Sequence, residues 1–124
     1  MAISEFRSVF MELEDRNPAV IVTVTRPNLS EEENIDLWGK ELNDLVDQHG
    51  CRQLIVSLQQ VQYITSAGLG KLIALHRRLH RKDGRLVVCC AFDTVKDVLH
   101  ASRLDDYFTI TDTIDSAVAL LAAE

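Results

Sequence analysis

Two adjacent hydroxyl side chains, Thr65 and Ser66, are the strongest candidates for chemistry in this chain. They follow the apolar run 54–58 after a short polar link, and a helix-patterned segment begins with them. The first backbone N–H groups of a helix have no internal partner, and the helix dipole favours negative charge there. A phosphate esterified to Ser66 would therefore find hydrogen-bond donors. Ala67 and Gly68 leave room for another protein, so the segment indicates a switchable contact surface more than a catalytic pocket.

Other interpretations of this segment are structural or involve a bound nucleotide. Ser66 is a favoured residue type for a helix N-cap, a role worth about 1 kcal/mol, and capping can coexist with phosphate acceptance in the unmodified state. A P-loop needs GxxxxGK followed by Ser or Thr, but Thr65 occupies the first glycine position and Leu72 follows the lysine. The dinucleotide-binding pattern GxGxxG fails as well, because its third glycine falls on Ile73.

The composition predicts one globular domain over residues 1–124, with a core of ordinary size. The net charge of −6 gives no electrostatic support for binding nucleic acid or an anionic membrane. No apolar stretch reaches the roughly 18 residues of a membrane span, and the first residues lack the basic and apolar blocks of a secretory signal. We therefore expect a cytoplasmic protein with neither nucleic acid nor membrane among its partners.

The three cysteines, Cys51, Cys89 and Cys90, show no CxxC spacing. Adjacent residues of a strand point to opposite faces, so Cys89 and Cys90 are badly placed to share a metal. We interpret all three as small hydrophobic residues of a reduced protein, with a redox sensor as the alternative. The sequence contains no evident acid/base pair or metal-ligand cluster, and we expect no cofactor.

The hydrophobic patterns predict the element order β-β-α-β-α-β-α-β-α. Strands that alternate with helices indicate a mainly parallel sheet with right-handed crossovers. The fold class is therefore α/β, a mixed and mainly parallel sheet of about five strands with an N-terminal hairpin and four helices. The predicted strands are 6–13, 19–25, 54–58, 85–92 and 108–110. The first predicted helix runs from a cap at Ser30 to about Gln48, and the second from Ser66 to about Lys82. The third runs from a cap at Thr94 to Ala101 or Arg103, and the last from Ile114 to Ala122.

This order and the motif at its centre resemble the STAS domain, the module of anti-sigma factor antagonists that also occurs in sulfate transporters. The resemblance covers essentially the whole chain. It is carried by LIVSL at 54–58, YITSAGLG at 63–70, GRLVVC at 84–89, VKDVL at 95–99, SRL at 102–104, the strand at Phe108 and the Ala-rich last helix.

In that family, the serine two places before the first glycine of the motif is phosphorylated by an anti-sigma factor that is also a serine kinase. The resemblance places this role on Ser66, with Thr65 as the second choice. The unmodified protein would bind the anti-sigma factor and release the sigma factor, and a phosphatase would reset the switch. The chain would regulate transcription and would itself catalyse nothing.

The chain departs from the family at three positions that often carry carboxylates. Thr65 precedes the acceptor, Ser57 stands late in the preceding strand, and Pro27-Asn28-Leu29 follow the second strand. These departures favour an alternative, in which the chain is a STAS scaffold or ligand-sensing domain of a signalling assembly without a phosphorylation switch. The predicted partner-binding residues are Asn28, Leu29, Ser57, Thr65, Ser66, Ala67, Gly68, Leu69, Gly70 and Lys71.

The second predicted helix also carries a basic cluster, HRRLHRK, at residues 76–82. At 100° per residue, Lys71, Arg78 and Lys82 share the side opposite the core, and Arg77 and Arg81 lie on a flank. Such a cluster is ordinarily a solvated face. The functional alternative is docking to an acidic partner.

Overall fold

The computed structural model describes residues 8–29 and 32–123. The strands are β1 Met11–Arg16, β2 Ala19–Val24, β3 Asn28–Leu29, β4 Gln53–Ser57, β5 Tyr63–Ile64, β6 Arg85–Cys89 and β7 Thr109–Thr111. The helices are α1 Glu32–Asp47, α2 Ser66–Arg81, α3 Asp93–Ala101, α4 Leu104–Tyr107 and α5 Ile114–Ala122. The helix cap predicted at Ser30 lies outside the described residues.

The main sheet has five strands in the order β1-β2-β4-β6-β7. β1 and β2 form an antiparallel hairpin, and the other neighbours pair in parallel. This arrangement confirms the predicted fold class and the N-terminal hairpin. A second, two-stranded parallel ladder joins β3 to β5, and the sequence patterns did not predict it.

The central strands β4 and β6 are buried on both faces, which explains their continuous apolar sequences. Leu54, Val56 and their neighbours in β6 pack against α1, α2 and α3. Ile55 and Val87 point to the other face, where Ala117 of α5 covers them. The alternation of side chains along each strand thus divides the core into two layers, with α1, α2 and α3 on one face and α5 on the other.

Two predicted elements are corrected at the edges of the fold. Among the described residues the first strand spans 11–16: residues 8–10 precede it, and the charged residues Glu14, Asp15 and Arg16 continue it as an edge strand whose outer positions tolerate charge. Positions 6 and 7 of the predicted strand lie outside the described residues. In the described residues there are five helices, one more than predicted. The extra helix, α4, is a single turn that follows Arg103 in the left-handed conformation (φ 60°) and has no apolar periodicity to reveal it.

Two local signals were also misassigned. β6 ends at Cys89 and does not continue to Phe92, because Cys90 adopts φ 63° and leaves the plane of the sheet. The N-cap of α3 is Phe92, and Thr94 lies inside the helix. The last helix has the predicted limits, 114–122, and Thr113 caps it with its side-chain oxygen. None of the helices in the described part of the chain has the length and hydrophobicity needed to span a bilayer.

Gly84 marks a close approach of two chain segments. The backbone N–H of Arg85 donates to the Arg52 carbonyl oxygen at 2.8 Å, and a Cβ added to Gly84 would collide with that same oxygen. We predict that Gly84→Ala lowers the free energy of unfolding by about 1–3 kcal/mol, because backbone atoms must move apart.

Urea denaturation of the two proteins would measure this difference. Gly70→Ala is the matched control, because a Cβ there meets no other atom within 4 Å. It should leave stability unchanged or raise it by up to about 1 kcal/mol, since Gly70 lies inside a helix. Equal stability of Gly84→Ala and the wild type would contradict the proposed collision.

Candidate partner-docking site around Ser66

The candidate site lies at the edge of the sheet where the parallel strands β2, β4 and β6 end. In an open α/β sheet the carboxyl ends of parallel strands share one edge, and the helices that follow begin there. The β3–β5 ladder brings Asn28 beside Tyr63 and Leu29 beside Ile64. The Pro27 carbonyl oxygen accepts hydrogen bonds from the backbone N–H groups of residues 62 and 63, at 2.8 and 3.0 Å. The segment 27–29 is therefore fixed next to the strand that leads into Ser66.

Thr65, and not Ser66, is the N-cap of α2. Thr65 has an extended backbone (φ −87°, ψ 168°), and its Oγ1 accepts a hydrogen bond from the Gly68 backbone N–H at 3.3 Å. Ser66 is the first residue of the helix, and its side chain is exposed to solvent. The structural role that the sequence suggested for Ser66 thus belongs to its neighbour, and Ser66 is an exposed residue at the helix terminus that does not serve as the cap.

The other predicted contact residues divide into exposed and buried groups. Ala67 and Gly70 are exposed, as is Asn28, and Thr65 and Lys71 are half-buried. The two other residues of the motif, Gly68 and Leu69, are buried on the side of α2 that packs against the core. These two are therefore packing residues in this conformation of the chain.

Ser57 does not reach the docking surface. It is fully buried at the end of β4, in register with Cys89 of β6. Side chains alternate along a strand, so Ser57 points to the same face as Ile55, which is the face covered by α5. α2 lies on the opposite face. The prediction that Ser57 contacts a partner is therefore corrected to an interior position.

Two exposed aromatic residues border the site and were missed in the sequence. Tyr63 exposes 56% of its surface and Phe92 exposes 44%. The Thr94 hydroxyl donates a hydrogen bond of 2.9 Å to the Gln62 carbonyl oxygen, which ties the first turn of α3 to the residue before Tyr63. The two residues of β5 are too few to show an alternation in the sequence, so the exposure of Tyr63 beside the buried Ile64 is seen only in the structure.

The exposed side of α2 continues from Ser66 as a stripe of small residues. Positions i, i+4 and i+8 share one helix face, and these are Ser66, Gly70 and Ala74, all exposed. Arg77 and Arg81 lie further along the same helix and are also exposed. Ala74 did not enter the predicted contact set, although its spacing from Ser66 could have indicated it.

The other cations of α2 face α1. The Lys71 side chain crosses Gly39, where an added Cβ would stand 2.5 Å from Lys71 Cδ, and its Nζ lies 3.2 Å from an Asp36 carboxylate oxygen. Arg78 Nη1 lies 2.7 Å from Asp47 Oδ2. The interpretation of Lys71 and Arg78 as an open basic face is therefore wrong, because both bridge the two helices.

The charge distribution around Ser66 suits an added anion. The first turn of α2 contains no acidic residue, so its terminal N–H groups and dipole are not offset by a nearby carboxylate on that turn. Within residues 8–29 and 32–123, no group of three or more His, Cys, Asp or Glu side chains is arranged to hold a metal ion.

Comparison with known proteins agrees with this architecture. The sequence profile of the STAS domain matches residues 10–117. This chain belongs to the STAS domain family. The Anti-sigma F factor antagonist of Paenibacillus polymyxa is 24% identical to it over 86 residues, which span 69% of this chain and 74% of the relative. BtrV of Bordetella bronchiseptica, provisionally named an anti-sigma factor antagonist, is 30% identical over 86 residues, or 69% of this chain and 73% of BtrV.

Solved STAS structures share the fold at lower identity. The anti-sigma factor antagonist SpoIIAA in its unphosphorylated form superposes with a TM-score of 0.77 at 17% identity, covering 92% of this chain and 97% of SpoIIAA. An anti-sigma factor antagonist from Mycobacterium paratuberculosis gives a TM-score of 0.77 at 21% identity, covering 89% and 91% of the two chains.

The cap assignment in this STAS domain can be tested by two neighbouring substitutions. We predict that Thr65→Ala lowers the free energy of unfolding by about 1 kcal/mol, because it removes the oxygen that accepts the Gly68 N–H. Ser66→Ala should change stability by less than about 0.5 kcal/mol, as expected for an exposed position outside the cap. Denaturant titration of both variants and Thr65→Ser, which keeps a hydroxyl, provides the measurement. A larger loss for Ser66→Ala than for Thr65→Ala would reverse the assignment.

Proposed function

We propose that this protein is an anti-sigma factor antagonist that regulates transcription by partner switching. Unphosphorylated, it binds an anti-sigma factor with serine-kinase activity, and this releases the sigma factor. Phosphorylation of Ser66 by that kinase ends the complex, and a phosphatase restores the binding form. Support comes from membership of the STAS family together with relatives named as anti-sigma factor antagonists.

The observation that carries the proposal is the position of Ser66. Ser66 is the exposed first residue of a 16-residue helix, and the side chain of the preceding residue, Thr65, caps that helix. A kinase can therefore reach the Ser66 hydroxyl without breaking a hydrogen bond that holds the helix end. Thr65 is a poorer acceptor, because its half-buried oxygen binds the Gly68 N–H.

Phosphorylation changes the docking surface more than the fold. It adds about −1.5 to −2 charges and three acceptor oxygens. The N-terminus of α2 tolerates this charge through its unpaired N–H groups. A partner packed over Ala67 and Gly70 must instead accommodate the added volume and desolvate the anion. A penalty of about 1.4 kcal/mol already reduces affinity tenfold, and a buried phosphate costs more.

The small residues of the exposed stripe allow a partner to approach the α2 backbone closely. Tyr63 and Phe92 stand at the border of the same edge and provide apolar area, which favours them as anchors of a protein interface. The surface thus combines a flat, open centre at Ser66, Ala67 and Gly70 with two aromatic residues at its rim. This combination suits a protein partner better than a small substrate.

We further infer that the chain acts in the cytoplasm, forms a single STAS domain over residues 1–124 and is a kinase substrate without catalysis of its own. Named relatives that are antagonists of anti-sigma factors support a regulatory role. SpoIIAA, which shares the fold, has structures in an unphosphorylated and a phosphorylated form, and the latter superposes here with a TM-score of 0.68 at 17% identity.

Phosphorylation can be tested with purified anti-sigma factor kinases from the same genome, ATP and Mg²⁺. We predict that one of them phosphorylates Ser66 in the tryptic peptide 53–71, which also contains Ser57 and Thr65. Fragment ions would distinguish these three hydroxyls from one another and from that of Tyr63. The Ser66→Ala variant should bind that kinase, and ATP should not dissociate this complex. The Ser66→Asp variant should bind the kinase at least tenfold more weakly than wild type.

The Thr65→Ser variant is the control, because it keeps the cap and the acceptor. A kinase that binds this chain without phosphorylating Ser66 or Thr65 would contradict the switch and favour the STAS scaffold instead. Wild-type affinity of Ser66→Asp for a kinase that does phosphorylate Ser66 would contradict the proposed charge effect.

A second prediction concerns the stripe itself. A Cβ at Gly70 has open space around it, so Gly70→Leu should fold normally. It should nevertheless weaken binding to the anti-sigma factor at least tenfold, because the leucine side chain would hold the partner away from α2. Isothermal titration calorimetry would measure the affinity, and circular dichroism would verify the fold.

The matched control for Gly70→Leu is Ala119→Leu on α5. Ala119 is an exposed helix residue on the opposite face of the sheet from α2. This variant should bind with wild-type affinity. Equal effects of the two substitutions, or none from Gly70→Leu, would place the interface elsewhere.

A further inference from the structure

The end of β6 brings two thiols together. Cys89 is the last residue of the strand, and Cys90 turns into the left-handed conformation at φ 63°. The two Sγ atoms then lie 3.3 Å apart. The expectation that neighbouring strand residues point to opposite faces therefore fails here, because Cys90 is no longer part of the strand.

Both thiols lie on the face of the sheet covered by α5. Cys89 is fully buried in the cluster that contains Ala117 and Leu121, and Cys90 packs against the same cluster. Cys90 is only half-buried and lines a surface cavity of about 460 Å³ beside Gln59, Asp112 and Asp115. Cys90 thus borders solvent at the cavity, whereas Cys89, whose sulfur contacts that of Cys90, is enclosed in the core.

We propose that Cys89 and Cys90 form a redox-active vicinal dithiol that hydrogen peroxide converts to an internal disulfide. This inference does not depend on the proposed docking function. Neither the STAS fold nor the Ser66 surface requires two adjacent thiols at this point.

The oxidation proceeds in two balanced steps. The Cys90 thiolate attacks one oxygen of the peroxide, the O–O bond breaks, and Cys90 sulfenic acid and hydroxide form. The Cys89 sulfur then attacks the Cys90 sulfur. The S–O bond breaks, and the departing hydroxyl leaves with the Cys89 proton as water. Peroxide gains two electrons, and the two thiols lose them.

The different environments of the two sulfurs assign these roles. Cys90 faces the cavity, so a small oxidant reaches it first. Burial raises the pKa of the Cys89 thiol to about 12, and the hydrogen bond with Cys90 acts in the same direction. Cys89 therefore remains a protonated thiol and is the poorer initial nucleophile. Its position next to Cys90 makes it the resolving thiol.

The cavity also favours a small oxidant. The carboxylates of Asp112 and Asp115 border Cys90, and cations offset their charge, with Lys96 3.7 Å from Asp112 and Arg16 3.6 Å from Asp115. Hydrogen peroxide carries no charge and is small enough to approach a half-buried sulfur. Closing the bond then requires the sulfurs to move from 3.3 Å to about 2.05 Å, a shift of roughly 1.2 Å.

The oxidation can be measured by mass spectrometry of the full chain. The reduced protein is treated with hydrogen peroxide, unfolded and alkylated with N-ethylmaleimide. Trypsin cleavage after Arg85 and Lys96 gives the peptide 86–96, which contains both cysteines. We expect this peptide to lose two hydrogen atoms and to take up no maleimide. Prior treatment with dithiothreitol should restore two maleimides.

Variants and a second probe make the outcome decisive. Cys51→Ser should behave like wild type, whereas Cys90→Ser should leave one alkylated cysteine in the peptide. The reduced wild type should also bind one phenylarsine oxide with loss of one water, and Cys90→Ser should not. A Cys90 sulfinic acid or mixed disulfide formed in place of the ring, or two thiols that remain reduced, would overturn the proposal.

Discussion

The parallel pairing of β4 between β2 and β6 is the constraint on which the rest of this structure depends. Leu54, Ile55 and Val56 are completely buried, and their side chains alternate between the two layers of the core. A strand of this kind needs cover on both faces, which the chain provides with α1, α2 and α3 on one side and α5 on the other. Because parallel strands end at a common edge, the beginning of α2 is directed to that edge. Ser66 is exposed there as a consequence of how the core is built.

Two adjacent hydroxyl residues have separate roles at this helix terminus, one as the cap and the other as the proposed phosphate acceptor, and this separation suits a switch. A single residue that served as both cap and phosphate acceptor would have its oxygen engaged with a backbone N–H in the unmodified state. Here Thr65 holds the Gly68 N–H while Ser66 remains outside that bond. The stability of α2 and the accessibility of the acceptor are therefore set by different side chains. The apolar core holds α2 against α1, and the exposed ion pair of Lys71 with Asp36 adds little to that packing.

The sequence predicts the features of this protein that depend on regular periodicity. The limits of α5 are recovered from its Ala-rich pattern, and the sheet follows from the apolar runs of β4 and β6. The position of the helix cap is different, because a single backbone angle, ψ 168° at Thr65, decides which of two adjacent hydroxyls accepts the bond. The β3–β5 ladder has only two residues per strand, which is too short for any alternation to be recognised.

The candidate site was predicted less completely than the fold, since exposure depends on tertiary packing. A linear motif could indicate Ser66, Ala67 and Gly70, but it could not show that Gly68 is buried. Helical periodicity does place Leu69 on the core-facing stripe with Leu72 and Leu79, although the motif had also included it in the contact set. The aromatic border at Tyr63 and Phe92 arises because separate loops meet at one edge, linked by the Thr94 hydrogen bond to Gln62. The proximity of the Cys89 and Cys90 thiols depends on a left-handed residue that no propensity scale indicates.

The buried residue Ser57 affects the environment of the dithiol at the end of β6. Ser57 pairs with Cys89 on the α5 face, in a completely buried place. A carboxylate there would lie against a thiol whose pKa burial already raises, and charge repulsion would further oppose formation of a thiolate. The neighbouring Ser57 side chain acts in the opposite direction and lowers the Cys89 pKa. A small uncharged residue at position 57 therefore places no unpaired charge in the core beside the dithiol, and burial keeps Cys89 in the protonated form that its resolving role uses.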